Sequence, residues 1–430
     1  MKDRRLFKII LLFMTGGFIL LQGCGGGGVP AVTALPGTGE DGETGTGEPA
    51  SGETGTSAPE TLPTEPAEQV PSVTDTSYIS REQGEFPLLG YYGWPSVAVD
   101  EKDVTYVVVS KRLHHIDPYG RVMLYKSYDR GLTWDGGSCI YDTVLDDRDA
   151  GIVYMGGGRL LVTTFSHDAP LYLNNTNASW TSWQKSVSAG QLKELTDLWA
   201  SSPESDLKGC SSYIISDDYG ETWSGRHLMP LTAPHGPSMM NDGTLIYLGV
   251  PKAPEFATGK KLESGVYCYV STDRGETFSE RSKIGVDPEY KACEAYGIQL
   301  PDGTVVATVR TGDLSTLCFR SVDGGYTWTE AEKVTYGAPA HLVLSADGRT
   351  VVMSYSKRKD TTGQCVRLST DGGASWGKEY YLSRPAGTAD SDLGYPATAR
   401  YSDGSFITVY YQKWKNDRKP CLMRTLWTLS

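Results

Sequence analysis

The sequence predicts an all-β fold, a six-bladed β-propeller, from two repeats that together account for the chain after residue 90. One is a short turn motif found five times, and the other is a β-hairpin pattern found six times. Repeats of about 50 residues, each one supersecondary unit, are the signature of an array that stacks its units around a shared core.

The turn motif reads Ser-x-Asp-x-Gly-x-Thr-Trp and is called the Asp box below. Its copies start at Ser127, Ser216, Ser271, Ser321 and Ser369, with Phe278 replacing Trp in the third and Ser375 replacing Thr in the fifth. Asp accepts backbone N–H bonds in such a turn, Gly supplies a permissive φ, and the aromatic ring is free to plug a gap between strands. These five carboxylates therefore read as structural staples.

The hairpins cover residues 94–110, 151–166, 236–250, 296–311, 341–356 and 395–412. Their turns include Asp242-Gly243, Asp302-Gly303, Asp347-Gly348 and Asp403-Gly404. Asp-Gly between alternating β-formers is the strongest short-range hairpin signal. Six hairpins, five of them followed by a box, imply six four-stranded blades. The sixth has no box, and the strand near residues 86–92 is expected to close it. The one long insertion is 167–212, where residues 187–200 read as a helix; it either shapes a cleft or decorates the rim.

The N-terminus carries Lys2, Arg4, Arg5 and Lys8, then an apolar run over 9–21 that stops at Leu21-Gln22-Gly23-Cys24. The run is short for a membrane span, and Leu followed by a short pair and Cys is the pattern of a bacterial lipoprotein signal. Residues 1–23 are expected to be removed and Cys24 to carry lipid, holding the protein on the outer side of the cell membrane. Residues 24–80 read as a disordered Gly/Thr/Glu/Pro tether with nine acidic residues and no Lys or Arg. The folded domain is expected over 81–430. Of the net charge of −12, residues 1–23 hold +3 and 24–80 hold −9, leaving a mildly acidic −6 on the domain. That balance, with no basic stripe, speaks against a nucleic-acid partner. Of eight cysteines, seven remain after Cys24, and an odd number cannot form a complete disulfide framework. No cofactor loop or metal-ligand spacing is present, so none is expected, and the protein is expected to act as a monomer.

In a propeller the hairpin turns lie on one face, and the residues flanking each hairpin lie on the other, around the axis. On that second rim fall Trp94, Arg112, Asp117, Arg148, Asp149, His235, Glu294, Arg310, Arg358 and Tyr395. So many ionisable groups at one axis exceed what folding requires and mark a candidate site.

The boxes and the rim residues resemble the bacterial sialidase (neuraminidase) family over roughly residues 90–430. The resemblance implies a retaining glycoside hydrolase. Tyr395, opening the sixth hairpin in Gly394-Tyr395-Pro396, matches the nucleophile, and Glu294 matches its activating partner. Arg310 and Arg358 match two of three arginines that clamp the substrate carboxylate. Asp117, in His115-Ile116-Asp117-Pro118, matches the acid/base. The position of the first arginine departs, reading Gly93-Trp94-Pro95. Arg112, Lys111 or Arg148 could compensate, while Trp94 offers an apolar platform for a sugar face; Arg112, Trp94 and Asp149 complete the candidate substrate contacts. Three functions stay open: a sialidase or hydrolase of a related acidic sugar, a related hydrolase of another sugar, and a non-catalytic glycan-binding propeller.

Overall fold

A computed structural model describes residues 69–82, 89–173, 175–385 and 391–430. The signal segment, Cys24 and the tether up to residue 68 lie outside the described residues. The described strands form six antiparallel sheets, the blades of a propeller. Blade 1 runs from the axis outward as Tyr91–Val99, Thr105–Arg112, Arg121–Ser127 and Ser138–Tyr141. Blade 2 comprises Asp146–Tyr154, Leu160–His167, Ser211–Ser216 and His227–Met229. Blade 3 has a short inner strand, Ser238–Met239, then Leu245–Pro251, Val266–Ser271 and Ser279–Ile284; Leu231–Thr232 pairs with the end of its second strand. Blades 4 and 5 start at Ala295–Gln299 and Ala340–Leu344 and end at Glu332–Tyr336 and Tyr380–Ser383.

Blade 6 joins the two ends of the described chain. Gly394–Arg400, Phe406–Gln412 and Cys421–Leu429 are completed by Pro71–Ser80, which runs antiparallel to the last strand from Pro71 opposite Leu429 to Ser80 opposite Leu422. Two sequence expectations are corrected here. The closing strand is not near 86–92, because Tyr91 and Tyr92 begin the inner strand of blade 1, and residues 71–80 are not tether. The outer strand of a blade contacts the fold along one edge, so it needs no continuous apolar face, and this one is exposed from Ser72 to Asp75 and half-buried from Thr76 to Ser80.

The core is a ring of apolar clusters between neighbouring blades. Five of them take in a box aromatic: Trp134 packs with blades 1 and 6, Trp223 with 1 and 2, Phe278 with 2 and 3, Trp328 with 3 and 4, and Trp376 with 4 and 5. Each box holds its turn the same way. In the third, Ser271 Oγ donates to Asp273 Oδ1 at 2.7 Å, Thr277 N donates to the same oxygen at 3.0 Å, and Gly275 N donates to Ser271 Oγ at 2.8 Å. Arg274 and Gly275 both take left-handed φ there, 59° and 89°. Blade 6, without a box, fills the sixth interface with Trp427, stacked on Phe406 at 4.4 Å. Cys268 and Cys318 are buried in two of these clusters as small apolar groups.

Candidate active site

Three of the six inner strands carry a β-bulge at the same level. The ladder slips between Gly93 and Ser96 in blade 1, between Arg148 and Gly151 in blade 2, and between Gly394 and Ala397 in blade 6. The first bulged residue is Trp94, Asp149 or Tyr395, each at left-handed φ of 54°, 49° and 54°. A bulge adds one unpaired residue and re-aims its side chain. Pro95 and Pro396 follow two of them, which suits a position with no ladder bond to donate. A non-glycine residue at such φ costs of order 1–3 kcal/mol, and that strain concentrates at functional sites. All three side chains were singled out from the sequence, and one backbone device places them.

Tyr395 is the centre of the site. Its hydroxyl donates a short hydrogen bond to Glu294 Oε1, while Arg310 Nη1 reaches Glu294 Oε2 at 2.6 Å and the Tyr395 oxygen at 3.2 Å. The Arg358 guanidinium lies 5.4 Å from the Tyr395 ring centroid, with Nη2 donating to Tyr411 Oη at 3.3 Å. Burial, then the Glu294 charge, pushes the Tyr395 hydroxyl well above 10. Burial also works to raise Glu294, but Arg310, the Tyr395 hydroxyl and Arg358 outweigh it and hold the carboxylate below its ordinary value. At rest the phenol keeps its proton beside an ionised carboxylate, with a guanidinium placed to stabilise the phenolate. That arrangement suits a nucleophile that deprotonates only as it attacks.

Around this couple sit polar atoms that are buried without a hydrogen-bond partner among the described residues: Nε of Arg148, Arg310 and Arg358, Oδ1 of Asp149, and both ring nitrogens of His235. Folding rarely leaves so many such atoms in one place. Burial, opposed by Arg148 and reinforced by Glu294, raises the Asp149 carboxyl to about 7. His235, with its ring centroid 6.3 Å from that of Tyr395, is pushed down to about 4 by burial and is neutral. The site thus offers guanidinium donors, a carboxyl poised near neutrality and a neutral imidazole.

Three sequence assignments are corrected. Asp117 does not face the site: its carboxylate is fully buried, accepting from His114 N at 2.7 Å, Tyr119 N at 2.7 Å and Arg112 Nε at 3.2 Å. The 167–212 insertion presses on that turn, with Trp183 6.2 Å from the Tyr119 ring and Ser186 Oγ 2.8 Å from His114 Nε2. Its helix, Ala189–Ser201, starts at a capping box of Ser188 and Gln191. Arg112 is no substrate clamp either, since it is fully buried between Asp117 and Asp146, 2.8 Å from the latter. Trp94 is only 2% exposed, so it is a wall and not an open platform. Its indole meets Tyr91, Tyr395 and Tyr411 and lies 4.2 Å and 5.0 Å from the Arg148 and Arg112 guanidinium carbons.

Sequence reasoning missed a polar group at the mouth. His115 Nδ1 lies 3.0 Å from Asp392 Oδ1 and 2.8 Å from Tyr91 Oη, and Tyr91 donates to the same Asp392 oxygen at 2.7 Å. His115 is two residues from Asp117 on an irregular turn, so no periodicity in the sequence singles it out.

The chain matches the BNR repeat-like domain family over residues 196–409. No curated protein matches its sequence. Among solved structures it is similar to a protein of unknown function from Dyadobacter fermentans, at 18% identity and a TM-score of 0.65, covering 84% of this chain and 99% of that one. It is also similar to the intramolecular trans-sialidase from Ruminococcus gnavus (15% identity, TM-score 0.57, 79% of this chain and 95% of that one). The NanB sialidase from Streptococcus pneumoniae is a third (13%, 0.58, 82% and 70%). At these identities the likeness is one of fold.

Proposed function

We propose that this protein is a retaining exo-glycoside hydrolase that removes a terminal acidic sugar, of the sialic acid class, from glycans outside the cell. The observation that carries the reading is the Tyr395–Glu294–Arg310 cluster, buried at the propeller axis on a strained bulge. A neutral phenol is a useful nucleophile when the reacting carbon bears a carboxylate, because an anionic nucleophile would be repelled. The Nε groups of Arg310 and Arg358, without a partner among the described residues, supply donors and charge for such a carboxylate. Tyr395 would attack the anomeric carbon while its proton passes to Glu294, and water would later release the sugar with retained configuration. Asp149, protonated at mildly acidic pH, would hydrogen-bond the sugar ring. Lipid on Cys24 would hold the enzyme at the membrane surface.

The test is sugar release by membranes carrying the full chain, wild type beside Tyr395→Phe, on sialosides and a panel of aryl glycosides. Membrane-bound release of sialic acid that falls at least ~10³-fold in the variant is the expected result. Turnover left unchanged by the variant, or glycan binding with no turnover, would sink the hydrolase reading and leave a binding propeller. A second reading, a different sugar, is favoured by one observation: Trp94 stands where a third arginine would be, and Arg112 and Arg148 are drawn into contacts with Asp146. Tyr395-dependent release of a neutral sugar would establish that alternative.

A further inference from the structure

We propose that His115, oriented by Asp392, is the acid/base of this site, the group that protonates the leaving oxygen and later activates water. The inference rests on the hydrolase reading above and adds the proton donor that reading lacks, since the Asp117 carboxylate is enclosed by three N–H donors.

The position is the first argument. An exo-acting enzyme with a deep nucleophile buries the reacting sugar and lets the rest of the glycan point outward, so the proton must be delivered at the mouth. Tyr395 is 4% exposed, whereas the His115 side chain is 45% exposed and Asp392 32%. One ring separates the two: the His115 imidazole meets Trp94 edge-on at 5.2 Å, and Trp94 meets Tyr395 edge-on at 6.3 Å. Asp149 is the competing group, but its Oδ1 is buried on the inner strand of blade 2, whereas the His115 side chain is 45% exposed.

The second argument is orientation. Nδ1 of His115 faces the Asp392 carboxylate, which also accepts from the Tyr91 hydroxyl, so Nδ1 carries the fixed proton. Nε2 then becomes the exchangeable nitrogen, and no hydrogen bond to it is made among the described residues. A carboxylate that fixes one imidazole nitrogen and so defines the role of the other is a recurring arrangement in proton transfer. Asp392 is a positioning residue here. The groups facing the imidazole are Asp392 and Tyr91 on one side and the cations Arg148 and Arg112 beneath, Arg148 Nη2 donating to the His115 carbonyl at 3.2 Å. Burial lowers the His115 pKa and Asp392 opposes it, with the net shift downward.

The chemistry balances. As the Tyr395 oxygen bonds to the anomeric carbon and the glycosidic C–O bond breaks, the phenolic proton passes to Glu294 and the Nε2 proton passes to the leaving oxygen. Neutral His115 then takes a proton from water, whose oxygen attacks the anomeric carbon. The Tyr395–carbon bond breaks, and Glu294 returns its proton to Tyr395.

The experiment compares the full-length wild type with His115→Ala, His115→Gln, Asp392→Asn and Asp149→Asn. Each is assayed on an aryl glycoside with an acidic phenol leaving group and on the matching alkyl glycoside. Without its acid the enzyme still expels a good leaving group, so both His115 variants should lose 10²–10⁴-fold on the alkyl substrate and much less on the aryl one. Sodium azide should speed aryl turnover by the His115 variants and not by wild type, because a small anion attacks without needing a base. Asp392→Asn should move the alkaline limb of the wild-type pH profile downward, since a charge that favours protonated His115 is removed. Equal loss on both substrates would reduce His115 to a structural role and overturn the proposal. So would leaving-group dependence appearing in Asp149→Asn and not in the His115 variants. Turnover that does not depend on Tyr395 is a different result: it removes the hydrolase reading, and this inference falls with it.

Discussion

At the scale of single residues, the site works by holding groups away from their ordinary protonation, and Asp149 makes this measurable. Its carboxyl is raised to about 7 by burial, with Glu294 adding to the effect and Arg148 opposing it. Between the unfolded value near 3.8 and the folded value, the native chain binds a proton that the unfolded chain has released. Stability therefore falls as pH rises through that window and is flat above it. Asp149→Asn removes the penalty, so the variant should be more stable than wild type at pH 7–8, by roughly 2 kcal/mol once solvent access is allowed for, and equal to it near pH 3. Catalytic efficiency should fall in the same variant below about pH 7, where wild-type Asp149 carries the O–H donor that the amide replaces, and the difference should narrow above it. Chemical denaturation at the two pH values checks the first half and steady-state kinetics the second. A variant less stable at neutral pH would mean that Asp149 is held by partners the geometry does not contain. The same residue scale also shows where reading the sequence stopped. Tyr395, Glu294, Arg310 and Arg358 were found because each flanks a hairpin whose register is fixed by its turn. Asp117 and His115 lie two apart on an irregular turn, where no period says which side chain faces inward, and the choice was made by the insertion packing on Tyr119 and His114.

At the scale of the element, legibility follows locality. Six hairpins and five boxes were readable because Asp-Gly turns and the box pattern act within eight residues. The bulges were written in Trp94-Pro95 and Tyr395-Pro396, a proline inside a strand, but only the ladder shows the slip they mark. The boxes lie at the outer ends of hairpins, on the face away from Tyr395, and their carboxylates are committed to their own turns. Asp273→Ala removes the acceptor for Ser271 Oγ, Thr277 N and Thr277 Oγ1. It should cost about 1 kcal/mol of stability, the usual worth of a turn's side-chain hydrogen bonds, while leaving kcat/KM unchanged within error. Thermal melts and steady-state assays at a temperature well below the transition check both parts. A large loss of activity in a stable variant would give the boxes a role beyond stapling.

At the scale of the whole molecule, the ring is closed by its ends, and the candidate site lies beside that closure. Pro71–Ser80 covers the free edge of Cys421–Leu429, adding an Asp75–Arg424 ion pair at 2.5 Å, a Thr76–Thr425 hydroxyl bond at 3.0 Å and a Tyr78–Asp417 bond at 2.9 Å. Arg424 in turn donates from Nε to the carbonyl of Gly131, in the first box, at 2.8 Å, so the closing blade is tied to blade 1. The inner strand of this same blade carries Tyr395, and its neighbour across the ring seam carries Trp94. The closing strand escaped the sequence reading because it is polar and continuous in composition with the acidic segment before it; its only apolar commitment is the half-buried half after Asp75. A chain that starts at residue 81 should therefore fail where one that starts at residue 69 succeeds. Without the outer strand, the backbone N–H and C=O groups of Cys421–Leu429 are left unpaired at an edge rich in apolar side chains, which favours pairing with another copy. The shorter chain should melt at least ~5 °C lower, aggregate on concentration, and lose sugar release in step with the loss of folded protein. If both chains melt together and turn over equally, the seam between blades 6 and 1 holds without its outer strand, and ring closure rests instead on the Arg424–Gly131 contact and the apolar cluster of Tyr92, Val107, Ala397 and Val409.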